Sequence, residues 1–430
     1  MLEFGEALVR LLANAHPVGD TEAVPTWAAA GRILATDLRS TIDVPPLDNT
    51  SMDGYAVRCA DVPAGGAKLA VAQRIPAGSV GHTLAPGTAA RIFTGAPVPA
   101  GADAVVMQEL CAVDGDVVTV NHVPHAGEWI RRRGEDIAAG TEVLAAGTRL
   151  TAAHVGVAAS VGAAQLAVFR RLRVALFSTG DELAMPGEPL KPGGIYNSNR
   201  YTLRALLEGL GCTVHDLGIV PDTREETRAA LRAAAVSSDL ILTSGGVSVG
   251  DEDHVKPSVV AEGTLDLWKI AIKPGKPLAF GSVRRPAGRP SPSFPLPEGE
   301  GSNSPPLSLR ERGRERGIGA AAFIGLPGNP VSSFVTFLML VRPFILKAQG
   351  AAVFAPQAQI LCADFDYKGD PRREFLRARM NEMGGLELFA NQSSGVLTSC
   401  TWADGLIENP PRQAIKRGDS VRFLPFSELL

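Results

Sequence analysis

Five consecutive segments decide the fold: RVALFSTG (173–180), SNRYTLRALLEGLG (198–211), TVHDLGIV (213–220), DTREETRAALRAAA (222–235) and DLILTSGG (239–246). The first is an unbroken apolar run of strand length. In the second, Leu203, Leu206, Leu207 and Leu210 recur at helical spacing and Gly211 stands where a helix should stop. Asp222 and Glu225 have the spacing of a capping pair, so the next helix is expected to open there. Strand, helix, strand, helix, strand predicts a doubly wound α/β unit, with a parallel sheet covered by helices on both faces. Ligands of such sheets bind outside the carboxyl ends of the strands. Here those ends read STGDE, PD and SGGVSVGDED, and near residue 325 the run AAFIGLPGNP leads to a helix with Asn329 as its cap and Pro330 as its first residue. Four loops are therefore expected to meet at one sheet edge.

Away from this unit the pattern changes. Between residues 40 and 139 the pieces LAVAQRIPAG, GTAARIFTG, ADAVVMQEL and DVVTVNHV alternate β-formers with turn residues, which predicts a small β-domain. The flanking pieces, 1–39 and 140–169, are too small to fold alone; they are expected to pair into one linking module with the β-domain inserted in it. An α/β domain then spans 170–349. After residue 350 the short strands QILCADFDY, EFLRARMNE, LELFANQ and SVRFLPF predict a C-terminal β-domain over 350–430. The stretch 286–317 is rich in Pro, Ser, Gly and Arg and nearly free of apolar periodicity, so a disordered insertion is expected there, with no function assigned.

Composition excludes several classes of function. A net charge of −3 and a pI near 6.2 give no general attraction to nucleic acid or to an anionic membrane. The N-terminus, MLEFGEALVRLLANAH, reads as an amphipathic helix and lacks the form of a secretion signal. The longest apolar run, VSSFVTFLMLVRPFIL, is interrupted by Arg342 and Pro343 and falls short of a membrane span. Cys59, Cys111, Cys212, Cys362 and Cys400 are scattered without metal-ligand spacing and read as reduced core thiols. A cytoplasmic chain is expected.

TSGGVSVGDED (243–253) is the richest stretch chemically. Gly245 and Gly246 allow backbone N–H groups to approach a phosphate, and Ser244 and Ser248 add hydroxyl donors. Asp251, Glu252 and Asp253 set carboxylates beside that anion, an arrangement that asks for a cation or a hydrogen-bonding ligand; a plain Gly-rich turn is the alternative. In WKIAIKPGKPLAFG, Lys269, Lys273 and Lys276 lie close together, and on one strand Lys269 and Lys273 would share a face and clamp an oxyanion; a solvated lysine face is the alternative. GLPGNPVSS aims a helix N-terminus at the same edge, where its N–H groups attract anions. In PPLDNTSMDGYAVR, RIFTGAPVPAGADAVVMQE and RRRGEDI, the residues Asp48, Asn49, Asp53, Thr94 and Asp136 occupy turns, where Asx capping alone would explain them.

Taken together, DNTSMDGYAV, FTGAPVP, GEDI, STGDEL, SGGVSVG, KPGKP and LPGNPVS make the chain resemble the molybdopterin molybdenumtransferase family, to which the C-terminal domain of gephyrin is related. The resemblance covers nearly the whole chain apart from the insertion. It implies a molybdopterin-binding α/β domain, a C-terminal β-barrel-like domain, and a homodimer in which the β-domain of one subunit faces the α/β cleft of the other. It implies that Asp53, Thr94, Asp136, Glu182, Asp222 and Asp253 are needed for activity, with Asp251 a rival for the role of Asp253. Lys269, Lys273, Pro327 and Pro330 also match, and the arginine and serine of the barrel fall at Arg372 and Ser394. The implied reaction places molybdate onto adenylylated molybdopterin and releases AMP, with Mg²⁺ near Glu182 and Asp253, while glycine N–H groups and lysines, Lys276 included, hold phosphate and molybdate oxygens. Contacts with molybdopterin adenylyltransferase and with recipient molybdoenzymes are expected partners. The rival functions are molybdopterin adenylyltransferase itself, which is an α/β domain alone, and a non-catalytic gephyrin-like scaffold.

Overall fold

The computed structural model describes residues 1–246, 254–285 and 319–430. Ser248, Asp251, Glu252 and Asp253, and the whole 286–317 insertion, lie outside them.

Helix α1 (Phe4–Ala13) opens the chain. Its cap is Glu3, whose carboxylate accepts from the N–H groups of Gly5 and Glu6, and its apolar face buries Phe4, Ala7 and Leu11. That face packs into the α/β core, with the Phe4 ring 5.4 Å from Phe375. Thr21–Pro25 then pairs antiparallel with Gln165–Phe169, and a small core that includes Leu34, Leu150 and Val168 fills the space beside this ribbon.

Between them lies a six-stranded sheet of β1 (Gly54–Val57), β2 (Ala67–Ile75), β3 (Thr88–Ile92), β4 (Ala104–Met107), β5 (Cys111–Asp114) and β6 (Val117–Val120), ordered β4-β1-β3-β2-β6-β5. Strand β1, inside the DNTSMDGYAV motif, was not among the strands expected from alternation, because all four of its residues are buried and no polar face marks it. Both apolar cores of this module draw only on residues 55–130.

The central sheet contains β7 (Arg173–Thr179), β8 (Thr213–Val220), β9 (Leu240–Ser244), β10 (Gly263–Lys269), β12 (Pro277–Arg284) and β13 (Ala320–Leu326), while β11 (Ile272–Lys273) belongs to the next domain. Helices α2 (Ser198–Gly209), α3 (Arg224–Ser237) and α4 (Val255–Glu262) connect the strands. The order is β8-β7-β9-β13-β12-β10, with β8, β7, β9 and β13 parallel and β12 and β10 antiparallel. The three strands read from the sequence, β7, β8 and β9, are parallel as expected and β13 extends them, while β12 runs antiparallel to its neighbours β13 and β10 and makes the whole sheet mixed. Alternation divides the sheet between two cores, with Val174, Leu176, Leu240 and Leu242 facing one way and Ala175, Phe177 and Ile241 the other.

One helix, α5 (Pro330–Ala348), is long and apolar enough to cross a membrane, yet 94% of its most apolar window is buried inside the protein. It continues through Arg342 and Pro343, the two residues that interrupt the apolar run. A π turn at Phe337–Val341 precedes Pro343 and accommodates its missing N–H, and Arg342 donates through Nη1 and Nη2 to the carbonyls of Phe354 and Glu428.

The C-terminal sheet runs β11-β15-β17-β18-β14, using β14 (Gln359–Cys362), β15 (Arg373–Met380), β17 (Gly405–Asn409) and β18 (Ser420–Pro425), with β16 (Leu386–Leu388) on β15. A bridge between Ala363 and Leu386 brings its two ends together, giving the barrel-like closure. All five cysteines are free; Cys212 is buried, but Cys362 is exposed because it ends the edge strand β14, so it is no core thiol.

Candidate functional site

At the carboxyl edge of the central sheet, β7 and β9 run in register with Ser178 opposite Ser244. Both serines are buried, and their hydroxyls are 3.3 Å apart. The chain then turns through two left-handed glycines. Gly245, at φ +87°, donates its N–H to the Leu326 carbonyl at 3.1 Å. Gly246 has φ +65°, and a Cβ there would lie 2.3 Å from Val255, so only glycine fits the turn. A Cβ on Gly328, in the LPGNP loop, would lie 3.9 Å from the Gly245 Cα, so the two glycine loops face each other. Asn199 at the start of α2 fastens that loop by donating to the Gly328 carbonyl at 2.8 Å. Pro327 is buried beneath the loop, and Pro330 opens α5 with Asn329 at the cap position. Glu182 is exposed at the mouth of the neighbouring loop, its carbonyl accepting from Ile195 N at 2.8 Å and its carboxylate folded over Gly180. Asp222 lies two residues beyond the end of β8, but the cap of α3 is Thr223, whose hydroxyl accepts from Glu226 N at 3.3 Å. The threonine occupies the extended residue next to the helix, which the expected Asp222–Glu225 spacing misplaced by one position.

A second group lies where the α/β domain meets the barrel. Lys269 and Lys273 do not share a strand: β10 ends at Lys269 in the central sheet, and Lys273 belongs to β11, which pairs with β15 of the barrel. Buried Ile270 and Ile272 between them turn the chain inward and break the expected lysine face. Lys269 and Lys276 are exposed, whereas Lys273 Nζ reaches Asp370 at 3.1 Å and Glu374 at 3.0 Å. Arg372 binds Asp370 as well, through Nε at 3.1 Å. Glu374 is fully buried and also accepts from Tyr367 Oη at 2.6 Å.

Burial opposes the ionised Asp370, but hydrogen bonds from Arg372 and Lys273 outweigh it and hold the carboxyl at about 2. Burial likewise disfavours the Lys273 ammonium, and its bonds to Glu374 and Asp370 reverse that, raising its pKa. Burial pushes the Tyr367 hydroxyl up to about 12, with its bond to Glu374 acting in the same direction.

This seam adjoins the glycine edge. Gly275 sits so close to α5 that a Cβ there would lie 2.3 Å from Thr336 Oγ1, and the Ser394 carbonyl accepts from Val331 N at 3.0 Å. Ser394 therefore meets the start of α5 through its backbone, and one of the N–H groups expected to attract an anion there is already used. Tyr367, Asp370 and Glu374 were missed in the sequence; the alternation of acids with Lys368, Arg372 and Arg373 was the available signal.

The third group is in the β-module. Asp53 Oδ1 accepts from both Thr94 N and Thr94 Oγ1, each at 2.7 Å. The backbone hydrogen bond from Thr94, followed by that from its hydroxyl, lowers the Asp53 pKa. Asp136 is exposed in the GEDI turn, with its N–H on the Val44 carbonyl, and Asp48 is engaged by Arg132 and Arg133. Among the described residues, the hydrogen bonds and ion pairs made by residues 43–136 close within residues 43–139. Among the described residues, Asp53, Thr94 and Asp136 thus share no hydrogen bond or ion pair with the edge or the seam.

Glu182 makes no side-chain hydrogen bond among the described residues, and an exposed carboxylate at an anion-binding loop suits an oxygen-preferring divalent cation. Among the same residues no group of three or more His, Cys, Asp and Glu side chains gathers as a metal site; the acids at 251–253, which would have to complete one, lie outside them.

Three family models match the chain in order: the MoeA N-terminal region (domain I and II) over residues 2–162, the probable molybdopterin binding domain over 175–347, and the MoeA C-terminal region (domain IV) over 362–426. The chain is 37% identical to the molybdopterin molybdenumtransferase of Haemophilus influenzae, covering 100% of both proteins. It is 40% identical to that of a Nostoc species, covering 77% of this chain and 70% of that protein. It is also similar to a molybdopterin biosynthesis MoeA protein of Pyrococcus horikoshii OT3 of known structure, with a TM-score of 0.78, 27% identity, and coverage of 99% of this chain and 100% of that one.

Proposed function

The chain belongs to the molybdopterin molybdenumtransferase family, and from this premise we propose that it places molybdate onto adenylylated molybdopterin and releases AMP. The observation that supports the proposal is that the glycine loops of Gly245–Gly246 and Gly328 and the seam of Lys273 and Arg372 both adjoin the first turns of α5, where Gly275 lies against Thr336 and Val331 N bonds the Ser394 carbonyl. The backbone N–H of Gly246, with Ser244 and Ser248, suits a pterin phosphate, while Gly245, whose own N–H is held by the Leu326 carbonyl, shapes the turn. Lys273 and Arg372, helped by the exposed Lys269 and Lys276 and by Ser394, suit the molybdate oxygens. Pro327 and Pro330 fix the loop that aims α5 at the site.

Glu182 and Asp253 would hold Mg²⁺, which when bound supplies positive charge beside the phosphoanhydride. The remaining acids, Asp53, Asp136 and Asp222, with Thr94 fixing Asp53, are assigned to orienting water and polar substrate groups. Because the β-module closes on itself within one chain, a homodimer is proposed in which the Asp53 region of one subunit faces the glycine edge of the other. A cytoplasmic location, transfer of substrate from molybdopterin adenylyltransferase and delivery to molybdoenzymes complete the proposal.

The test is molybdate-dependent AMP release from adenylylated molybdopterin in the absence of ATP. Purified protein is expected to release AMP, and Asp53→Ala and Glu182→Ala variants to lose most of that rate. ATP-dependent formation of adenylylated pterin would favour the adenylyltransferase instead, and a folded protein inert in both assays would favour a scaffold.

A further inference from the structure

Between Lys273 and Arg372, the space assigned above to molybdate is already filled by a carboxylate. Asp370 receives Lys273 Nζ at 3.1 Å, Arg372 Nε at 3.1 Å, Arg372 Nη2 at 3.4 Å and the Arg372 backbone N–H at 3.0 Å. Its two oxygens thus collect donors from two cations, the same donors that a tetrahedral oxyanion requires. The cradle is open to solvent, since the Lys273 and Arg372 side chains are 33% and 30% exposed. Glu374, the other carboxylate on Lys273, cannot leave: it is fully buried and held by Tyr367 and Asn409. Two cations are therefore balanced by two carboxylates. A dianion entering beside an undisturbed Asp370 would meet no net positive charge and one adjacent like charge.

We propose that Asp370 is an internal competitor for the oxyanion. Its carboxylate fills the Lys273–Arg372 cradle in the free chain and is displaced when molybdate binds, so that it selects which anions gain entry. This rests on the reading that Lys273 and Arg372 hold molybdate. The displacement is a rotation of the side chain. The backbone is pinned by Arg412 N on the Asp370 carbonyl at 2.7 Å, and by left-handed Gly369, where a Cβ would lie 2.4 Å from the Gln413 carbonyl. A small carboxylate from solution offers the cations nothing that Asp370 does not, and Asp370 has the advantage of attachment. A tetrahedral dianion brings more charge and more acceptor oxygens, and so wins the exchange.

The experiment is calorimetric titration of the full chain with sodium molybdate at constant ionic strength, with and without acetate. Asp370→Asn and Asp370→Ser are each expected to bind molybdate about fivefold more tightly than wild type, the scale of one exposed ion pair. Acetate is expected to compete in both variants but not in wild type. If both variants bind molybdate no better than wild type while Lys273→Met loses binding, the cradle stands and Asp370 is not its competitor. Acetate displacing molybdate from wild-type protein overturns the proposal without recourse to any variant. If Lys273→Met binds as wild type does, the underlying oxyanion assignment fails, and the proposal with it.

Discussion

Asp53 and Asp370 are both acids in loops, yet they are held in opposite ways. Asp53 is gripped by one neutral residue, Thr94, with Arg91 acting on it through space; its carboxylate is half-buried and makes no ion pair among the described residues. Asp370 is spent on two cations, and buried Glu374 beside it is spent on Lys273 and Tyr367. The β-module therefore presents a carboxylate ready for a partner, while the seam presents cations that are already compensated. A site that needs both must bring the module to the seam, and the seam must give up one of its own contacts.

The comparison breaks most severely at Glu374. Glu374→Ala leaves Lys273 and Tyr367 facing an empty buried space, and a loss of about 4 kcal/mol is expected in chemical denaturation. A loss below about 1 kcal/mol would mean that the seam is not compensated as described. On the other side, Asp53→Asn keeps the Thr94 contact and removes only the charge. AMP release should fall about 100-fold with an unchanged melting temperature, and a parallel loss of folding would make Asp53 structural.

Gly246→Ala sharpens the contrast between backbone and side-chain sites. A left-handed residue whose Cβ would lie 2.3 Å from Val255 should cost about 2 kcal/mol and weaken substrate binding, measured by denaturation and by KM. The smallest effect concerns pH. The Asp370 carboxyl is depressed to about 2 in the folded chain, from an ordinary value of 3.8, so its contribution is present above about pH 4 and is lost as pH falls towards 2. The melting difference between wild type and Asp370→Asn should shrink over that window, and a difference that persists undiminished at pH 2 contradicts the assignment.

The same contrast explains what was legible in the sequence. Apolar runs ending in glycine announce a sheet edge, because buried parallel strands and left-handed turns each leave a local trace; β7, β9 and their loops were readable for that reason. Asn329 and Pro330 at the start of α5 are equally local. The seam was not readable, because the partners of Lys273 lie about a hundred residues later and the inward turn depends on Ile270 and Ile272 entering two different cores. That α5 runs on through Arg342 and Pro343 was equally invisible, since it depends on tertiary carbonyl partners and a π turn. The site acids of the β-module became recognisable through the combined motifs, since each one singly reads as a turn cap.

The central claim is that the Asp53 region and the glycine edge form one site only when two copies pair. The most direct measurement is AMP release by Asp53→Ala and Glu182→Ala chains, each assayed alone and then after co-expression. Each variant alone should be inactive, and the co-expressed mixture should recover about a quarter of wild-type activity, because half the dimers would carry one intact site of two. A mixture as inactive as its components would contradict the shared site.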